Sequence, residues 1–202
     1  MSVTAIDISH LPDHEDGPRA AAWWGMLLLL VIESAVFGTL IASYFYLKMG
    51  ALEWPPAGEE LPKAGIATIN TLILVASSIP MHLADQAGAR NQQTRIRLGL
   101  IGGIALGTVF LILKVVEYSD VEYHWDDHAY GSIIWLIVGF HSAHVLSVVL
   151  KTLFMLYLAF KGYFTPERHL FLEVNGMYWH FVVGVWLPLY AVIYWVPRWT
   201  LG

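Results

Sequence analysis

WWGMLLLLVIESAVFGTLIASYFYL, residues 23–47, is a nearly unbroken apolar run with one carboxylate, Glu33, close to its middle. As a helix rising about 1.5 Å per residue it is long enough to cross a hydrocarbon core of roughly 30 Å. A charged side chain at the centre of such a core costs on the order of 3 kcal/mol, so Glu33 must be protonated, paired or turned to a polar interior. The rest of the chain is read for its partner.

The 202 residues are 57% hydrophobic and only 13% charged, whereas about a quarter of residues are charged in soluble domains. Mean hydropathy is +0.57. This predicts a multi-pass membrane protein. Residues 1–20 form a polar, acidic tail without the basic flank and short apolar core of a cleaved signal, so the first helix is expected to stay. There is no cysteine, which excludes disulfides, iron–sulfur clusters and thiolate metal sites and leaves any redox metal to the nine histidines. A net charge of −5 with no basic cluster argues against nucleic acid binding and against a polybasic grip on anionic lipid.

The fold expected is an all-α bundle of five transmembrane helices in one domain, at about 22–47, 66–84, 98–116, 132–158 and 176–197. The second span carries Asn70, Thr71, Ser77 and Ser78, whose small polar side chains suit bonds between helices. Gly99, Gly102, Gly103 and Gly107 in the third predict a face that packs closely against a neighbour. Aromatic residues at both ends of the fifth read as interface belts. An odd number of spans puts the termini on opposite sides. Arg19, Arg90, Arg95, Arg97, Lys161 and Arg168 fall on one side; Lys48, Lys63, Lys114 and Arg198 fall on the other, diluted by an acidic loop. The basic bias predicts a cytoplasmic N-terminus and an outer, periplasmic C-terminus.

Depth then selects a partner for Glu33. Ten residues from Trp23 place it roughly 15 Å in; twelve residues from Ser132 place His144 roughly 18 Å in from the other side. Both sit near the midplane. His141, three residues from His144, shares its face and is the second choice. Such a group reads either as a polar clamp or as a protonatable site. His82 and His180 fall near the boundary; as the one pair at matched depth on different helices, they alone would suit a haem. The acidic loop with His124, Asp126, Asp127 and His128 reads as solvated, Ser77 and Ser78 as interhelical donors, and Lys151 as snorkelling to the headgroups. No catalytic group and no metal site is assigned. A stand-alone transporter or channel would need more mid-membrane polar residues than Glu33, His141 and His144.

In order along the chain, VIESAVFG around Glu33, NTLILVASS from Asn70, LGTVFLILKVVEY, GFHSAHV and YWHFVVGVW resemble the motifs of the cytochrome c oxidase subunit III family, in its short five-helix form. Val183, Lys114 and Ser142 depart from the aspartate, glutamine and glycine usual in that family. The resemblance implies a subunit without redox centres in a haem-copper oxidase of the bacterial inner membrane, haem and copper lying in partner subunits. It implies support of proton uptake, protection of the catalytic subunit during turnover, and phospholipid binding, with His180, Trp179, Tyr178, Glu117 and Asn70 as lipid or interface candidates. The implied partners are subunit I, subunit II and a further small subunit. A quinol oxidase or a nitric oxide reductase would be served by the same motifs.

Overall fold

A computed structural model describes residues 20–59 and 61–201, so the tail read at residues 1–20 lies, apart from Ala20, outside the described residues. The described residues are helical with no strand: α1 Ala21–Gly50, α2 Ala64–Ala76, α3 Ser78–Ala89, α4 Gln93–Ser119, α5 Ala129–Phe160, α6 Leu170–Tyr190 and α7 Val196–Leu201. Five stretches are long and apolar enough to cross a membrane: Ala21–Gly50, Ala64–Ala89, Gln93–Ser119, Ala129–Phe160 and Leu170–Trp199. Each runs past the bounds read from hydropathy, because helical backbone continues into polar terminal turns. α5, for example, starts at Ala129 because His128 caps it, its side chain accepting a bond from the Gly131 amide at 2.8 Å.

Two spans are interrupted at prolines. Pro80 has no amide hydrogen to return to Ala76, and the second span breaks at Ser77, whose hydroxyl donates to the Leu74 carbonyl at 2.6 Å. Pro188 in α6 likewise precedes one π-helical turn, Ala191–Trp195, before α7 continues.

The second and fifth spans are joined by an antiparallel series of polar bonds. Thr68 meets the Tyr190 hydroxyl at 2.6 Å, Trp186 Nε1 donates to Thr71 Oγ1 at 2.9 Å, and Trp179 Nε1 donates to Ser77 Oγ at 2.9 Å. Trp179 and Trp186 are seven residues apart and therefore share a helix face; both are fully buried. α4 packs on α3 and on α5 through its glycines. A Cβ on Gly99 would stand 2.5 Å from the Pro80 carbonyl oxygen, and one on Gly107 2.9 Å from Val149.

The connections sort into two ends. At one end Gln93 donates to the Phe164 carbonyl, Arg97 Nε donates to the Ala159 carbonyl at 3.2 Å, and Trp23 Nε1 donates to Glu173 at 3.0 Å. At the other, His128 faces Glu59 at 3.2 Å and Arg198 Nη2 donates to the Pro62 carbonyl at 2.6 Å. In this second end, outside the spans, burial pushes the Tyr123 phenol up to about 12.

Candidate functional site

Glu33 on α1 and His144 on α5 meet: Oε2 of the carboxyl lies 3.1 Å from Nε2 of the imidazole. The side chains are 20% and 12% exposed, so the pair is shielded without being sealed. Each helix also supplies a ring one turn away. Phe37 follows Glu33 by four residues and lies 5.1 Å from the His144 ring; Phe140 precedes His144 by four and lies 4.5 Å from it.

The proton inventory follows from the second nitrogen. His144 Nδ1 sits 2.7 Å from the Phe140 carbonyl oxygen, which can only accept, so Nδ1 carries a hydrogen. Nε2 then either donates to an ionised Glu33 or accepts from a protonated one. Both states hold the same number of protons and differ by one transfer along the 3.1 Å contact.

His141 does not join them. Its ring turns to the interior, where Nε2 approaches the Val182 carbonyl at 3.0 Å and the Trp186 ring lies 4.6 Å away. A three-residue step rotates a side chain by about 60° around a helix of 3.6 residues per turn, enough to send neighbours on one face to different partners. The grouping of His141 with the pair, read from spacing, is therefore replaced by a core histidine at 0% exposure.

Of the other candidates, Asn70, Trp179, Tyr178 and Glu117 lie inside the bundle. Asn70 Nδ2 donates to the Phe110 carbonyl at 3.1 Å, and the Tyr178 ring carries the Lys151 ammonium at 4.7 Å. None of these four presents an open surface. Only His180 is exposed; its ring stands 6.3 Å from that of His82, whose Nε2 is engaged by Gln86 at 2.8 Å. α6 begins at Leu170, so His180 is ten residues into its helix rather than the four read from Gly176. Among the described residues no group of three or more His, Asp or Glu side chains is arranged to hold a metal ion.

The structure also holds a polar cluster that hydropathy reading places at a helix end. Lys114 is 3% exposed and donates to Glu117 Oε2 at 2.8 Å and to the Tyr194 hydroxyl at 3.0 Å, while Tyr194 donates to the other Glu117 oxygen. The ammonium also lies 4.5 Å from the Trp186 ring centre. The signal available in sequence was the opposite charges three residues apart on a membrane helix. Lys114 therefore does not belong among the basic residues of the outer connection.

With this geometry in place the chain can be set beside known proteins. The family model described as Cytochrome c oxidase subunit III matches residues 6–199. A protein of Thermostichus vulcanus named cytochrome c oxidase subunit 3 is 32% identical over 196 residues, covering 96% of this chain and 95% of its own length. Proteins of the same name from Aedes aegypti, 33% identical over 178 residues, and Petromyzon marinus, 31% over 193, are covered to 68% and 73% of their own lengths. The matched range, residues 6–199, takes in all five spans. The chain belongs to the cytochrome c oxidase subunit III family.

Proposed function

We propose that the chain is an accessory, non-redox membrane subunit of a haem-copper oxidase, in complex with the catalytic subunit and other oxidase subunits. Its part is to stabilise the catalytic subunit, support proton uptake into it and bind phospholipid, while electrons and oxygen are handled by haem and copper in the partners. Family membership supports the assembly, and the Glu33–His144 contact carries the rest of the reading: it holds one transferable proton near mid-membrane between two helices. The catalytic partner is a cytochrome c oxidase core; a quinol-oxidising or nitric oxide-reducing core is the alternative, distinguished by the subunits that co-purify.

The test is Glu33→Gln in the assembled oxidase. Gln keeps a hydrogen bond to His144 but removes the transferable proton, so folding stability is expected to fall by only about 1 kcal/mol. Assembly and initial turnover should persist, while activity decays sooner during sustained turnover. Loss of assembly would instead favour a polar clamp for α1, a reading supported by how few residues α1 buries, namely Met26, Phe37 and Tyr44.

The site of action is proposed to be a bacterial inner membrane with the N-terminus cytoplasmic. Arg90, Arg95, Arg97, Lys161 and Arg168 gather at the α3–α4 and α5–α6 connections, which favours that end for the cytoplasm. The native chain has no cysteine, so single cysteines report cleanly. In intact cells an impermeant maleimide should label Glu122→Cys strongly and Thr94→Cys only after permeabilisation; the reverse pattern would invert the assignment.

A further inference from the structure

A cavity of about 90 Å³ lies between the α1–α2 connection and the end of α4, with Glu59, Ile66, Glu117, Tyr118, Val121 and Tyr123 in its wall. At roughly 15 Å³ for each water it has room for about six. Asp120 and Glu122, also in the wall, are exposed and mark its aqueous side. Its inner side is the polar cluster of α4. Glu117 lines the cavity with a side chain 5% exposed, and Lys114, 3% exposed and bonded to Glu117 at 2.8 Å, stands behind it. Counted from Ser119, the last residue of α4, Glu117 is two residues and Lys114 five residues inboard, roughly 3 Å and 8 Å.

The wall carries hydrogen-bonding capacity that the chain itself does not use. The hydroxyls of Tyr118 and Tyr123 are buried and have no partner among the described residues. Tyr123 is 4% exposed, and burial holds its phenol up at about 12, so at neutral pH it keeps its proton and is a donor. Glu117 accepts one bond from Lys114 and one from Tyr194, about half of what a carboxylate can accept. Glu59, which faces His128, adds a second carboxylate, and Lys63 is the cation among the lining residues. Two hydroxyls and two carboxylates around a space of this size supply the two to four partners that a bound water requires. Buried hydroxyls are as a rule satisfied, by water where the chain does not do it.

We propose that this cavity is a hydrated vestibule through which the buried Lys114–Glu117–Tyr194 cluster exchanges protons with the solvent at the α1–α2 and α4–α5 connections. Ordered waters accept from Tyr118 and Tyr123 and donate to Glu117. Lys114 passes an Nζ proton to Glu117 Oε2, Glu117 hands it to a water, and the reverse sequence restores the ammonium, so no net charge is left in the bundle. The waters do not replace Lys114, which supplies the countercharge of the pair. The cluster is thus a protonatable site open to one end of the bundle, besides that of Glu33 and His144. The inference rests on the cavity and the cluster and is independent of the oxidase reading.

Millisecond radiolytic footprinting of the full chain in detergent micelles generates hydroxyl radicals from water where it sits, and mass spectrometry reads the oxidised side chains. Tyr118 and Tyr123 should be oxidised roughly tenfold faster than the fully buried Phe164, and at a rate close to that of the exposed Tyr163. Oxidation of both no faster than that of Phe164 would overturn the proposal. Tyr123→Phe separates a hydrated hydroxyl from an unmet one. Deleting a hydroxyl bonded to water should lower the unfolding midpoint, whereas a rise, the result for a buried group with no partner, would overturn the proposal. Proton access is read by isotope-edited NMR of the lysine ammonium groups, with the Lys114 signal assigned by its loss in Lys114→Met with Glu117→Gln. The Lys114 ammonium should exchange with water despite its burial. Val121→Trp, which fills the cavity, should slow that exchange by roughly tenfold or more and leave the exposed Lys161 as it is. Exchange at Lys114 unchanged by Val121→Trp would overturn the proposal, and footprinting of the unaltered chain decides it if that variant fails to fold.

Discussion

Lys114→Met is expected to lower the stability of the bundle by about 3–5 kcal/mol, the cost of leaving one member of a buried ion pair without the other. The ammonium is the centre of its cluster, donating to Glu117 at 2.8 Å and to Tyr194 at 3.0 Å in a site where both charged side chains are nearly sealed from solvent. Methionine keeps much of the aliphatic stem and its packing on Trp186, so volume is not what is lost. What remains is a buried carboxylate with the Tyr194 hydroxyl as a donor. Adding Glu117→Gln to the same chain removes that charge and should recover most of the loss, to within about 1–2 kcal/mol of the original, since neutral replacements of buried pairs are often tolerated. Unfolding curves in mixed micelles, read by tryptophan fluorescence, give all the values needed for the cycle. A single Lys114→Met change without effect would show that the pair is not ionised in the folded protein.

Gly99→Ala should be among the most damaging single methyl additions at the described glycines. Its Cβ would lie 2.5 Å from the Pro80 carbonyl oxygen, 2.7 Å from Ala84 Cβ and 3.0 Å from the Ala84 amide nitrogen. Two of these are backbone atoms of α3, which yield only if the helices part. Overpacking of this kind costs about 1–3 kcal/mol and sometimes more. Gly103→Ala should cost less although its distances are similar, because what it meets at 2.6 Å is the flexible Met81 sulfur. Gly38→Ala, with nothing within 4 Å, is the control. The expected order of thermal stability in detergent is therefore Gly38→Ala highest, then Gly103→Ala, then Gly99→Ala. Equal values for the last two would mean that α3 and α4 are not in the contact described.

Both expectations depend on features that differ in how far they can be read from the chain alone. The glycine face of α4 was legible, since residues 99, 103 and 107 recur every four positions. The burial of Lys114 was not: near the end of an apolar run, a lysine reads as reaching for the headgroups, and only the packing of α4 against the π-helical turn carries the Lys114–Glu117 pair of one helix face onto Tyr194. The proline at position 80 announces a disturbance of the second span, yet the use of Ser77 at the break as an acceptor for Trp179 depends on a helix a hundred residues away.

The Glu33 site divides in the same way. Depth arithmetic singles out His144, because rise per residue is a property of any helix and carries across the membrane. Direction around the helix does not carry across, which is why His141 was grouped with the pair and stands instead against Val182 and Trp186.

By itself, then, the sequence determined which segments are apolar enough to leave water and that Glu33 and His144 lie at matching depth, while His180 and Lys114 were placed only once the helix ends and the packing were known. The first two are sums of local terms: transfer free energy per residue and rise per residue. Which polar side chains meet was decided only by tertiary packing. The 3.6-residue period sets angles about a helix's own axis, while the rotation of one helix against the next is set by the contacts of Gly99, Gly107, Trp179 and Trp186.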